Sequence, residues 1–166
     1  MASPNCDARP AGVEIALVVL HSISVPAGEY GGDAIERLFT NRLDPRAHPS
    51  FSALSGLRVS AHFLVRRDGE LVQFVPVGRR AWHAGVSRWR GRERCNDYSI
   101  GVELEGTHDS AFGDAQYKGL ARLVRTLQEI LPLREIAAHS DVAPGRKSDP
   151  GSGFDWMRFL AALAHY

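Results

Sequence analysis

The chain has 166 residues, 44% of them apolar, and a formal net charge of +1. That length favours one domain, with a core large enough to need no disulfide or metal. The apolar share excludes a disordered chain, and the near-zero charge argues against a broad nucleic-acid or membrane-binding surface.

The first twelve residues, MASPNCDARPAG, are polar and Pro-rich and read as an N-terminal arm (1–12) ahead of a single domain (13–166). The run "VEIALVVL" (13–20) is β-branched and apolar, a buried strand that delivers His21 at its C-terminal end. It carries Glu14 and lacks the cationic start and cleavage pattern of a signal peptide. No stretch approaches the ~20 apolar residues of a membrane span. Cys6 and Cys95 form no C-x-x-C and no disulfide framework, though one bridge between them stays open. The expected compartment is the reducing cytoplasm.

"GGDAIERLFTNRL" (31–43) places Ile35, Leu38 and Phe39 on one face of a short helix, and 44–56 is loop-like. Residues 58–76 form a β-hairpin around Asp68 and Gly69, a pair suited to a turn needing positive φ. The irregular segment 77–97 is rich in Arg, Gly and Trp, and long loops in small domains are usually functional. "YSIGVELEG" (98–106) is a strand with Ile100, Val102 and Leu104 on one face and Glu103 and Glu105 on the other. The ordinary reading of those two carboxylates is a solvated sheet face. The helix 114–131 keeps Leu120, Leu123, Val124, Leu127 and Leu131 in register, with Asp114 as N-cap, and Pro132 ends it. "REIAAH" (134–139) is a strand delivering His139, and 154–166 is a terminal helix. These elements predict a single α/β domain with a mixed central β-sheet flanked by α-helices, because the hairpin forbids an all-parallel sheet.

Two strands therefore end in histidine, at the sheet edge where α/β folds put their sites. Asp149 returns on the loop after His139, turned back by Pro144 and Gly145. Two imidazoles and a carboxylate are a catalytic zinc set with an open fourth position, and zinc lowers the pKa of its water toward ~7. By spacing alone this set competes with the commoner reading of strand-end histidines as polar surface residues. Glu103 is the candidate base for that water, with Glu105 its competitor. Lys147, two residues before Asp149, offers a cation for an oxyanion, or is an exposed loop lysine. The segment "RRAWHAGVSRWRGR" offers aromatic faces and guanidinium forks to a compact acidic ligand. His83 contacts substrate or packs in that loop. His62 is structural, and His48, His108 and His165 are surface residues.

Four motifs, "VVLHSISVPAGEYGG", "LRVSAHFLVRRDGELVQFVP", "RAWHAGVSRWRGRERCNDYSIGVELEG" and "AHSDVAPGRKSDPG", cover the chain from about residue 10 to 160. Together, in this order, they resemble the zinc-dependent N-acetylmuramoyl-L-alanine amidases, a family related to peptidoglycan recognition proteins. The match is closest to the cytoplasmic branch acting on 1,6-anhydro-N-acetylmuramyl peptides in bacterial cell-wall recycling. The resemblance implies one Zn²⁺ per chain on His21, His139 and Asp149, with Glu103 and Lys147 catalytic and Glu103 preferred over Glu105. It implies substrate contacts from Arg58, Trp82, His83 and Arg94. Ser22 stands where such sequences often carry asparagine, and it lines the same site. The implied reaction is hydrolysis of the lactyl amide between muramic acid and L-Ala. The expected partner is the anhydro-muropeptide substrate alone, with no nucleic acid or membrane, and the expected state of the protein is a monomer. An amidase for intact peptidoglycan and a non-catalytic binding module of the same fold are the alternatives.

Overall fold

Runs of β-branched and aliphatic residues form the centre of the molecule as parallel strands. The computed structural model describes residues 1–165; Tyr166, which the sequence places at the end of the terminal helix, lies outside them. In chain order the elements are β1 (Cys6–Ala8), β2 (Leu17–Ile23), α1 (Ala34–Phe39), β3 (Phe63–Val65), β4 (Leu71–Gln73) and β5 (Arg79–Ala81). A short helical turn, Pro49–Leu54, sits inside the stretch expected as loop. There follow β6 (Arg88–Trp89), β7 (Arg92–Glu93), β8 (Ser99–Glu105), α2 (Asp114–Ile130), β9 (Glu135–Ala138), α3 (His139–Val142) and α4 (Trp156–Ala164).

The main sheet has the order β4-β3-β8-β2-β9. β3, β8, β2 and β9 run parallel, and β4 pairs antiparallel with β3 as the hairpin requires. The sheet is mixed and flanked by helices, as the alternation of elements indicates. β1 pairs with β5, and Arg9 fastens the segment after β1 by donating to the carbonyls of Val77, Asn96, Asp97 and Ser99.

Alternation along each strand divides the core into two layers. One face presents Val18, Leu20, Ile100, Val102, Leu104 and Val65 to Tyr117, Leu120, Val124 and Leu127 of α2 and Phe159 of α4. Asp155 caps α4, its Oδ1 accepting from Arg158 N at 3.0 Å. α2 starts differently from expectation. Gly113 is the cap residue, Gln116 Oε1 accepts its N–H, and Asp114 instead pairs with Arg158 across to α4. Pro132 does end the helix, with Leu131 as its last capping residue.

The other face carries Leu17, Val19, Ala137 and Leu64 under the irregular segments and α1, where Ile35, Leu38 and Phe39 are buried as their spacing indicates. The 77–97 segment is more ordered than its composition suggests: it contains β5, the β6–β7 hairpin and a short helical turn at Cys95–Asp97. This second layer buries Glu105, so it is not a solvated charge. Its carboxylate accepts from the backbone of Gly31 (2.7 Å) and Arg67 (3.1 Å) and pairs with Arg66.

The β3–β4 turn shows why Gly69 is needed. Its φ is +87°, and a Cβ there would lie 2.7 Å from the carbonyl oxygen of Ala115 on α2. Gly69→Ala is therefore expected to destabilise the fold by more than about 1 kcal/mol, read as a lower urea midpoint; an unchanged midpoint would contradict it.

Candidate metal centre and cleft

Strand register gathers the site. His21 of β2 stands opposite Glu103 of β8, and Leu20 stands opposite Ala138, the last residue of β9. His139 follows directly, so it leaves the sheet level with His21. Residues in register on parallel strands point to one face. His21, Glu103 and His139 thus share the C-terminal edge of the sheet, and all three are buried.

His139 is the first residue of α3 and not the end of its strand. Beyond α3, Gly145 takes φ +75° and the N–H groups of Arg146 and Lys147 donate to Ala143 O, which turns the chain back. Ser140 N then donates to Asp149 O at 3.0 Å, and the Asp149–Pro150 peptide is cis. This brings the Asp149 carboxylate to the two rings. His21 Nδ1 lies 2.8 Å from His139 Nδ1 and 3.2 Å from Asp149 Oδ2, and His139 Nδ1 lies 2.9 Å from the same oxygen. One ligand atom from each residue falls within 4.8 Å of the others, the one such group of three among the described residues.

The electrostatics suit a cation. Burial lowers the His21 pKa to about 4, with Asp149 opposing and His139 and Lys147 adding to the shift. Burial alone would raise the Asp149 carboxyl, but hydrogen bonds with His139 and His21 hold it well below the ordinary range. His21 is thus a neutral imidazole and Asp149 a carboxylate at neutral pH, the forms in which a metal takes them as ligands. Glu103 differs. Burial, with the Asp149 charge adding, pushes its carboxyl well above the ordinary value, and Lys147 pulls it partly back. Its Oε2 is buried with no hydrogen-bond partner. Neither candidate carboxylate is therefore solvated; Glu105 is saturated by neighbours, while Glu103 keeps a free oxygen.

A cleft of about 550 Å³ opens over this edge. His21, Ser22, Arg58, Trp82, His83, Glu103, His139, Lys147 and Asp149 all line it, so most residues singled out by sequence meet there. Arg94 does not. It takes a left-handed backbone (φ 59°), pairs with Asp97 at 3.2 Å, and lines a neighbouring groove beside Arg88 and Pro144. That groove shares Gly85 and Arg146 with the cleft. His62 is buried, its Nδ1 accepting from Gly101 N, which fits a structural part.

Two residues of the cleft wall were not legible as functional. Arg146 donates to the carbonyls of Ala84 and Val86. Asn96 Oδ1 accepts the backbone N–H of both His83 (3.2 Å) and Ala84 (2.8 Å). Both lie inside the quoted motifs, but nothing in the spacing singles either of them out. Both cysteines are free thiols, and no described helix is long and apolar enough to cross a membrane.

Known proteins resemble this chain in sequence and fold. The 1,6-anhydro-N-acetylmuramyl-L-alanine amidase AmpD of Escherichia coli K12 is 55% identical over 164 residues, 98% of this chain and 90% of that protein. A crystal structure of an AmpD selenomethionine derivative superposes with a TM-score of 0.94 at 53% identity, covering 98% of this chain and 92% of that one. The amidase AmiD of E. coli, solved with anhydro-N-acetylmuramic acid-L-Ala-D-γ-Glu-L-Lys, gives a TM-score of 0.65 at 28% identity over 93% of this chain and 60% of that one. A family model described as N-acetylmuramoyl-L-alanine amidase spans residues 11–152, the stretch that holds all three donors together with Glu103 and Lys147. With that coverage and that identity, the chain belongs to the N-acetylmuramoyl-L-alanine amidase family, alongside its AmpD-type members.

Proposed function

We propose that this chain hydrolyses the lactyl amide between 1,6-anhydro-N-acetylmuramic acid and L-Ala of the stem peptide, with one zinc ion held by His21, His139 and Asp149. The observation that carries this reading is the convergence of the three donor atoms beside a buried, unpartnered Glu103 oxygen. The substrate class rests on the relatives: the AmpD proteins are named for that amide, and AmiD is solved with an anhydro-muramyl peptide bound.

The donor set fits zinc. Two imidazole nitrogens and one carboxylate oxygen turn to a single point, with no thiolate, and leave room on the cleft side for water or substrate. When bound, the ion supplies a Lewis acid for water and for the scissile carbonyl.

The chain's own groups account for the rest. Glu103 takes a proton from the attacking water as the water's oxygen bonds to the lactyl carbonyl carbon. A carboxyl of raised pKa is a stronger base than an ordinary one and gives the proton up closer to neutral pH. The same group can therefore hand that proton to the L-Ala nitrogen as the C–N bond breaks. Lys147, exposed on the cleft wall, sets an ammonium facing the oxyanion of the tetrahedral intermediate. Arg58 and Trp82 offer a guanidinium fork to a carboxylate and an aromatic face to the sugar or peptide. Ser22 adds a hydroxyl at the same wall. Arg94, in the adjoining groove, contacts only a substrate that extends past Gly85 and Arg146.

One chain supplies every group named, so the working unit is a monomer. The two free thiols fit a reducing, cytoplasmic compartment. The test compares soluble anhydro-muropeptide with polymeric sacculi. Release of peptide from the soluble fragment far faster than from sacculi is expected; equal rates would overturn the recycling assignment. Tight muropeptide binding with no zinc and no release would identify a binding module instead.

A further inference from the structure

A histidine that binds a metal through one ring nitrogen is set by what its other nitrogen does. His21 turns Nδ1 to the metal site, and its Nε2 lies 3.0 Å from His83 Nδ1. His83 Nε2 in turn lies 3.2 Å from Ser99 Oγ, and Ser99 Oγ donates to the carbonyl of Cys95 at 2.6 Å.

With a cation in place of a proton at His21 Nδ1, the Ser99 end orders the protons along this chain. A carbonyl oxygen can only accept, so the Ser99 hydroxyl proton is committed to Cys95. Ser99 Oγ is then left to accept, and His83 Nε2 carries a proton toward it. A neutral His83 has its lone pair on Nδ1. His21 Nε2 must then carry the proton between the two rings, which leaves the His21 Nδ1 lone pair for a cation held together with Asp149 and His139.

The place of His83 is built into the sheet. Gly101 lies on β8 between Ser99 and Glu103, on the face of the site. A Cβ on Gly101 would sit 2.4 Å from His83 Cγ, so the imidazole rests directly on the bare strand backbone. Asn96 holds the His83 and Ala84 backbone from the other side. The Ala84 carbonyl, 3.3 Å from His139 Nε2, accepts the equivalent proton of the second ring. Residues 83 and 84 thus stand behind both histidines.

We propose that His83 is a positioning residue, which fixes the metal-facing tautomer of His21 through a relay ending at Ser99 and the Cys95 carbonyl. It stands behind the ligand and shapes the site from there. This rests on His21 being a metal ligand, as proposed above.

Heteronuclear NMR of the imidazole nitrogens in the full-length wild-type chain tests both layers separately. With zinc bound, His21 and His83 are each expected to carry their proton on Nε2, and adding zinc should move the His21 Nδ1 signal. A His83 proton on Nδ1 in the zinc-loaded protein would overturn the relay. A His21 signal unmoved by zinc would overturn the metal-site reading, and the relay with it. Chelator competition gives a second readout. Ser99→Ala and His83→Leu should weaken zinc binding by about 10- to 100-fold, the usual scale for a group that orients a ligand. Ser99→Thr, which keeps the hydroxyl, and His83→Asn, which keeps an acceptor near the Nδ1 position, should recover most of it. Zinc affinity unchanged in folded Ser99→Ala and His83→Leu would contradict the proposal.

Discussion

Asp149→Ala is expected to lose its metal and its turnover together. Its carboxylate is the only anion among the three donors, so it supplies the charge that offsets a dication taken out of water. Partners that merely orient a ligand are worth 10- to 100-fold in affinity, and removing a ligand should cost more than about 100-fold. Metal analysis after purification in zinc-containing buffer should find far less than one ion per chain, and anhydro-muropeptide should stay intact. Removing Asp149 also leaves two buried imidazoles with Nδ1 atoms 2.8 Å apart and no carboxylate beside them. Far-UV circular dichroism separates loss of metal from loss of fold. A folded variant that keeps stoichiometric zinc and wild-type turnover would remove Asp149 from the metal site.

Glu103→Gln should do the reverse, keeping zinc and losing turnover. Glutamine fills the same volume and cannot accept the water's proton, so kcat should fall by at least ~10²-fold with KM little changed. A near-wild-type rate would end the proton-transfer role. The same variant carries a stability signature in the zinc-free protein. The Glu103 carboxyl is raised above its ordinary value of 4.5 by burial, so the folded state holds a proton that the unfolded chain releases. Below pH 4.5 both states are protonated and the shift carries no penalty. As pH rises above that, the unfolded chain ionises first and stability falls, until the folded-state pKa is passed. Glu103→Gln should therefore raise the urea midpoint of zinc-free protein at neutral pH, with the gain fading in acid. A gain that grows in acid would reverse the sign of the argument.

The fold was largely readable because its core strands and its long helix obey simple periods. Residues 17–23 and 99–105 are continuous or alternating apolar runs, and α2 buries Leu120, Leu123, Val124 and Leu127 where a helical repeat puts them. What pattern could not give is what covers a face. Period two separates Glu103 and Glu105 from Val102 and Leu104, but the layer above the carboxylates is irregular chain with no period. Burial of Glu105 under Arg66 and Arg67 was therefore invisible. The helix start was missed by one residue for a related reason: Asp114 is drawn to Arg158, a partner that exists only after α4 docks.

At the site, two histidines that close apolar runs and a returning aspartate were visible one by one, though His21 lies two residues inside β2 and His139 opens α3. Their meeting depends on β2 and β9 being neighbours in register, which no local spacing encodes. Family resemblance supplied that missing step, and it also supplied Arg94, which the structure sets outside the cleft in the adjoining groove. The support behind the ligands was the least legible part. Gly101 interrupts a strand of larger residues, a sign of close approach, yet the sequence does not say that His83 is what approaches. Asn96 acts through its amide oxygen on two backbone N–H groups and Ser99 through a hydroxyl, and neither leaves a pattern.

Mass spectrometry of the products from a defined anhydro-muropeptide, in heavy-oxygen water, tests the central claim most directly. With zinc present, the account predicts an intact stem peptide with a free L-Ala amine and a muramic acid whose lactyl carboxylate carries one heavy oxygen. Chelator should abolish both products and added zinc restore them. Heavy oxygen found elsewhere, cleavage at a different bond, or full turnover in chelator would contradict it.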